Sequence, residues 1–405
     1  MRGQTRVAIV VGAGLLLAAC STAPIPTPTT SSVHRARTPV GSAPSAVAAT
    51  THSYPVSSGF VPLSFSAISP ARWWTLGFVM CGSRQCLALA GTTDAGATQT
   101  SIPVPGKPFG PGVAQPPEVA SIRFANAEDG WAWGPDLFAT HDGGRTWAQI
   151  SLAGPVTALV VGGGTAYAIE QPPASAAPTT TTSAISTASS LLWQAPVSSN
   201  QWVRVANSPE VTGGLAASGS SIWVSNGTNL VTSSNSGKSF DALTNPVLSD
   251  PCDDQALSAS LLWSYCDNHG LLFLYRSTDA GVSSALIGHS VLGQPNSPDG
   301  LPSASTSAVA STFGAASVST VVVASSVAGS PLTQSDDGGL SFQAVQSAPD
   351  KTGSWSVLGF ITPTVGFAFW KHLSYAYNKN SAQLWRTTDG GAHWAPAMTA
   401  KSAGP

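Results

Sequence analysis

Apolar residues alternate with small or polar ones in short runs along most of the chain beyond residue 58, the period-two signature of half-buried strands. One stretch shows four runs in order: VASIRF from Val119, WAWG from Trp131, LFATH from Leu137 and TWAQI from Thr146. Near the C-terminus LGFI, GFAFW, QLWRTT and HWAPA repeat the sequence of runs. Beyond the N-terminal leader no stretch carries helical periodicity. The pattern predicts an all-β chain built from units of four short strands.

A recurring phrase punctuates the third and fourth run of each unit: a hydroxyl residue, any residue, Asp or Asn, any, Gly, any, usually Ser or Thr, usually an aromatic. It occurs six times, most clearly as THDGGRTW (Thr140 to Trp147) and TTDGGAHW (Thr387 to Trp394). SDDGGLSF and SSNSGKSF follow it, while STDAGVSS and TTDAGATQ lose the final aromatic. Asp or Asn accepts hydrogen bonds from its own turn, and Gly two residues later takes positive φ without a Cβ clash. Asp94, Asp142, Asn235, Asp279, Asp337 and Asp389 are therefore expected to be structural turn caps. The closing aromatic supplies a large surface to bury against a neighbouring unit.

Successive caps are separated by 48, 93, 44, 58 and 52 residues. The double gap holds a degenerate copy: Trp193 and Trp202 are nine residues apart, as are Trp385 and Trp394, but Val197 replaces the acidic residue. Seven units with a period of about 40 to 50 residues predict a seven-bladed β-propeller of four-stranded antiparallel blades. The first blade begins near Phe60 and the last ends near Ala397. Residues 59–398 form the propeller, with 399–405 a tail. Whether residues around Tyr54 to Ser58 cross over to latch the ring is left open by the pattern. Composition agrees: 40 Gly, 31 Pro and only 9% charged residues suit many turns and strands.

Arg2 and Arg6 precede an apolar run, Val7 to Leu17, that ends in Leu17-Ala18-Ala19-Cys20. This is the layout of a secretory signal over residues 1–19, too short to span a bilayer. It looks like a bacterial lipobox, with Cys20 the lipidated first residue of the mature chain. Residues 20–58, rich in Pro, Ser, Thr and Ala, cannot bury a core and read as a disordered tether. A second such tract, 171–190, reads as a disordered insert. Without the leader, 15 basic and 19 acidic side chains leave a net charge of −4, which argues against nucleic acid as a partner. The expected location is extracytoplasmic, lipid-anchored to the bacterial cell membrane.

Four further cysteines allow three pairings. In a four-stranded blade the capped turns lie on one face and the second-to-third turns on the other. Cys81 ends a second strand and Cys86 begins the third, while Cys252 precedes a first strand and Cys266 ends the adjacent second. The expected bridges are thus Cys81 to Cys86 and Cys252 to Cys266, both on the face opposite the capped turns. A metal site is the rival reading, but the histidines show no ligand spacing to match. No metal or other cofactor is expected.

The repeated phrase resembles the Asp-box, or BNR, repeat of sialidases, sortilin-type receptors, some glucan hydrolases and the photosystem II stability and assembly factor group. The resemblance covers nearly the whole domain and implies the propeller, with the Asp-box side chains structural. A sialidase needs an arginine triad, and the arginines here sit mostly in or beside capped turns; only Arg84 and Arg123 could approach the opposite face or the channel. Glu118, Glu170 and Glu210, joined by Asp253 and Asp254, are the carboxylates expected on that face, where a pair at suitable separation could hydrolyse a glycoside. Solvated loop carboxylates are the plainer reading. A recognition surface needs less: Arg84, Lys107, His269, Lys371, His372, Tyr375, Tyr377 and Lys379 are expected there, the last five in the loop Lys371 to Gln383. The expected function is a non-catalytic scaffold for a protein or glycan at the cell envelope, attached to the membrane through its lipid only, with a cell-surface glycoside hydrolase as the alternative.

Overall fold

In the computed structural model the described residues are 44–56, 60–82, 84–106, 119–171, 190–211, 214–225, 230–243, 252–268, 271–290, 312–325, 327–372 and 381–398. They form seven four-stranded antiparallel sheets arranged as a seven-bladed propeller, each sheet a meander of four consecutive strands. The innermost strands, in order, are Val61–Ala67, Ser121–Phe124, Val156–Gly162, Leu215–Ser218, Cys252–Ala256, Thr312–Ala315 and Ser354–Phe360. All-β architecture and blade number thus match the expectation from the repeat. Residues 1–43 and 399–405, and with them the leader and Cys20, lie outside the described residues, as does 172–189 of the insert.

Burial alternates along the inner strand of blade two but not in the middle of the blades. Asp129–Trp133, the second strand of blade two, is buried at every position. Both faces of a blade pack against a neighbouring blade, so a central strand has no solvated side. What alternates is size. Trp131 and Trp133 point into a cluster with Val156 and Leu159 of blade three, whereas Ala132 points into one with Trp74 and Leu89 of blade one. Tyr167 and Ile169 likewise face blade four, while Ala166 and Ala168 face blade two. Among the described residues the core is consequently seven interblade clusters, with an eighth around Val79, Cys86 and Ala88 of blade one, rather than one central mass. The seventh holds Phe65 and Trp73 of blade one against Phe367 and Phe369 of blade seven, so among the described residues the ring closes by aromatic packing with no strand shared.

The capped turns have one geometry throughout. At Thr140 to Trp147, Thr140 Oγ1 donates to Asp142 Oδ1 at 2.9 Å and accepts from Gly144 N–H at 2.9 Å. Asp142 in turn accepts from the N–H and the hydroxyl of Thr146, at 2.9 and 2.6 Å. The other five copies repeat this, with Asn235 serving through its amide and His393 replacing the hydroxyl residue through Nδ1, 2.6 Å from Asp389 Oδ2. The residue after the cap also takes positive φ, and three copies place a non-glycine there: Ala95 at 62°, Ser236 at 60° and Ala280 at 65°. Its N–H reaches the first-to-second turn of the same blade, as in Ala280 to the Ser260 carbonyl at 2.9 Å and Gly390 to the Thr364 carbonyl at 2.8 Å. Each blade is thereby stapled across one end.

Every capped turn also abuts the preceding blade. A Cβ at Gly144 would meet Ile102 of blade one, at Gly391 Val322 of blade six, and at Gly96 the Ala397 carbonyl of blade seven at 2.7 Å. The degenerate unit in blade three keeps a backbone staple, Val197 N–H to the Gly164 carbonyl at 2.9 Å. In place of a cap it receives His141 from blade two, whose Nε2 lies 3.0 Å from Asn200 Oδ1 while Nδ1 lies 2.6 Å from Asp129.

The tether reading of residues 20–58 is corrected for its last part. Ala46–Ala48 forms a fifth strand on the outer edge of blade two, paired with Ala148 to Ile150, and Thr51–His52 pairs with Val104–Pro105 beside blade one. The side chains of Ala46–Ala48 are exposed, so that strand is held by main-chain bonds that require no apolar pattern, while Ala49 and Tyr54 further along pack against blade one's clusters. The segment covers an open sheet edge and straps blade two to blade one, leaving the closure between blades seven and one to side chains.

Two outcomes follow from the turns. Gly96→Ala combines a disfavoured φ with a collision against main chain and is expected to cost at least about 2 kcal/mol in urea unfolding, whereas Ala280→Gly, where φ is already positive, is expected to add about 0.5–1 kcal/mol. The hydrogen bonds from Thr98 and Thr92 hold Asp94 at a pKa of about 2; at Asp389 those from His393 and Thr387 outweigh burial and give about 2. A depressed carboxylate stabilises the fold above its unfolded value, and that contribution is lost as pH falls from about 4 to about 2. A double variant, Asp94→Asn and Asp389→Asn, copies the cap of blade four and should show a shallower loss of stability over that window.

Candidate functional site

Antiparallel meanders put all first-to-second and third-to-fourth turns at one end of the propeller and the second-to-third turns and blade connections at the other. Disulfides join Cys81 to Cys86 and Cys252 to Cys266, with Cα separations of 5.9 and 4.0 Å. The first bridges a second-to-third hairpin; the second links the start of blade five's inner strand to its neighbour, Cys252 lying opposite Cys266 in the ladder. Both bridges therefore lie at the end opposite the capped turns. Staples tie the turns of the capped end, where a cavity of about 460 Å³ between blades one and two is lined by Arg72, Glu128, Asp142 and Arg145; the cystine end is the other face.

On that face Lys371 is the penultimate residue of the second strand of blade seven, with Nζ 5.6 Å from the Phe369 ring centroid. Burial lowers its pKa below the usual lysine value. His372 follows it. Tyr375, Tyr377 and Lys379 fall in 373–380, outside the described residues, as do His269, Lys107 and Glu118. Arg84 opens the third strand of blade one opposite Cys81. Beside Lys371 the structure reveals a support that the sequence pattern did not flag. Asp350 accepts from the N–H groups of Thr352 and Gly353 at 2.7 and 2.9 Å, from the Thr352 hydroxyl, and from the Trp370 indole at 3.2 Å. These bonds hold its carboxyl well below the ordinary range. A Gly329 N–H to Gly353 carbonyl bond of 2.9 Å ties blade six to the same corner. A turn acid followed by Thr and Gly was the available signal.

The three glutamates of the hydrolase reading are not equivalent. Glu170 ends a second strand as expected, yet it is 1% exposed. Its two oxygens accept from the Gly154 N–H and the Trp193 indole, each at 2.6 Å, so it is neither a solvated loop acid nor a free one. Glu210 is exposed ahead of blade four. Asp253 and Asp254 lie on blade five's inner strand, and Asp254 lines the central channel. Ser264 and Ser225 donate to Asp254 at 2.6 and 3.1 Å. Burial raises its pKa to about 6, with the charge of Asp253 adding to the shift and the two serines opposing it. Among the described residues no three His, Cys, Asp or Glu side chains converge on a metal-sized site.

No protein-family model and no curated protein matches the sequence. Solved structures do. YCF48 from Cyanidioschyzon merolae matches at 14% identity and a TM-score of 0.51, over 84% of this chain and 99% of that one. A Mycobacterium tuberculosis puromycin-hydrolyzing peptidase matches at 11% and 0.52, over 88% of this chain and 57% of that one. YCF48 bound to a D1 peptide matches at 17% and 0.49, over 84% and 96%. Such identities bear on the fold, and a propeller hosts many functions.

A raised carboxyl favours the fold while protonated, so the Asp254 contribution is full below about pH 4 and lost as pH rises through about 6. Asp254→Asn should therefore gain about 1–3 kcal/mol over wild type in urea unfolding at pH 7.5, with the gain vanishing at pH 3.5.

Proposed function

We propose that this chain is a non-catalytic binding or assembly scaffold, held by a lipid on Cys20 at the outer side of a bacterial cell membrane and presenting its cystine face to a protein or glycan of the envelope. The observation that carries the reading is the division of the two ends. Staples and glycine contacts occupy the capped end in blade after blade, while the opposite end carries the two bridges and the loops whose length varies from blade to blade. A rigid scaffold with variable loops on one rim is the arrangement that binding proteins use. The buried, fully bonded Glu170 supports the same reading, since a side chain that holds Trp193 in place is ill suited to proton transfer.

The anchor and the face are tested separately. Cys20→Ser should abolish incorporation of a palmitate label and move the protein from the membrane fraction to the supernatant. Because Gly366–His372 and Ser381–Thr387 are strands of blade seven, the recognition loop is best replaced over residues 373–380 alone, by a Gly-Ser linker. Partners cross-linked to the wild-type protein in intact cells should be lost with that replacement; an unchanged set removes the loop from the binding face. The hydrolase alternative predicts cleavage of a glycan panel that Glu118→Gln and Glu210→Gln abolish. Glu170→Gln is expected to lower stability by about 1–3 kcal/mol with no effect on such cleavage.

A further inference from the structure

The central channel holds a cavity of about 470 Å³ lined by inner strands of six blades, within the usual size of small-molecule sites. Arg123, on the inner strand of blade two, projects into it. Its side chain is open to channel water, but the enclosing protein lowers its pKa from the ordinary arginine value. No hydrogen bond or ion pair engages it among the described residues. The carboxylate in the same cavity, Asp254, belongs to blade five and already accepts from two serines. A guanidinium is always charged and presents a planar fork of donors matched to a carboxylate. Lining the cavity, exposed to its water and without a hydrogen bond among the described residues, it is available to an anion from solution.

The walls indicate what the anion is attached to. Phe65, Val161, Val357 and Phe360 contribute partly exposed apolar surface, whereas Phe124 and Leu215 are buried in the interblade clusters behind it. Val357 stands out: it lies in a bulge between Ser356 and Gly359, has φ of 49° and is 44% exposed. A β-branched residue at positive φ is strained, and such strain persists where the surrounding structure imposes it, often at binding sites. Here it turns an isopropyl group toward the cavity.

We propose that the channel binds a small organic carboxylate with an apolar body, its carboxylate paired with Arg123 and its body packed against Val357 and the phenyl rings. The site is separate from the cystine face and does not depend on what that face binds.

The test uses the full chain with 3-phenylpropionate as probe and 3-phenylpropionamide and inorganic phosphate as comparators. Calorimetry should give one site with Kd on the order of millimolar for the acid, and binding of the amide weakened about tenfold or more. Arg123→Gln should lose the acid to the same degree, and Arg123→Lys should fall between. Val357→Gly relieves the disfavoured φ, so it should melt higher than wild type while binding the probe about threefold more weakly. A crystal soaked with 3-(4-bromophenyl)propionate should show its bromine signal inside the channel. Equal affinity for acid and amide, undiminished binding by Arg123→Gln or Val357→Gly, stronger binding of phosphate than of the acid, or bromine outside the channel would each overturn the proposal.

Discussion

Everything in this ring depends on a glycine with positive φ pressed against the blade before it. At Gly96, with φ of 90°, the Cα lies so near the Ala397 carbonyl and the Trp73 ring that no side chain fits. The same turn caps itself through Asp94 and ties its own first hairpin through Ala95. Local closure, intrablade stapling and interblade contact are therefore properties of a single eight-residue unit. Because the contact always points from a blade to its predecessor, a full circuit ends with blade one's turn on blade seven. Propellers that share a strand across the seam gain main-chain bonds there; this one relies on Phe65, Trp73, Phe367 and Phe369, and its N-terminal strap goes to blade two instead.

How far the sequence foretold this follows from what each feature is made of. The turns were legible because their cap, hydroxyl and glycine act on neighbours within four residues. Both disulfides were legible once the meander assigned strand ends to faces. The strap over residues 44–56 was not, because Ala46–Ala48 pairs through main chain and exposes its side chains. Glu170 was correctly set at a strand end, but neither Gly154 nor Trp193 could be named as its partner without the packing of the blade. Arg123 and Asp254 stand 131 positions apart in the chain and meet in one cavity only through ring closure, so their shared surroundings had no local signature at all.

The two ends and the channel differ in how much of their polar chemistry is spent on the fold. Inner strands of adjacent blades are also joined by polar side chains. Ser64 and Ser66 accept from Ile122 and Phe124 N–H, at 3.1 and 2.8 Å. Gln255 donates to the Phe313 carbonyl at 2.8 Å and accepts from Ala315 N–H at 3.0 Å. Thr312 accepts from Leu358 N–H at 3.3 Å. These bonds make the channel wall a fixed surface and satisfy backbone groups that have no ladder partner between blades.

Arg123 takes no part in this stitching, although it shares its strand with two residues whose N–H groups do. A neutral Ser or Thr at the position would have served the wall as well as Ser66 does, without bringing an ion into an enclosed space. Arg123 is instead exposed to the channel with no hydrogen bond to a described residue, a cation that the fold does not use. Asp254 on blade five marks the contrast: its oxygens accept from two serine hydroxyls, so its carboxyl is tied into the wall. The wall therefore carries a guanidinium that makes no hydrogen bond among the described residues, beside the partly exposed apolar surface of Val357 and Phe360.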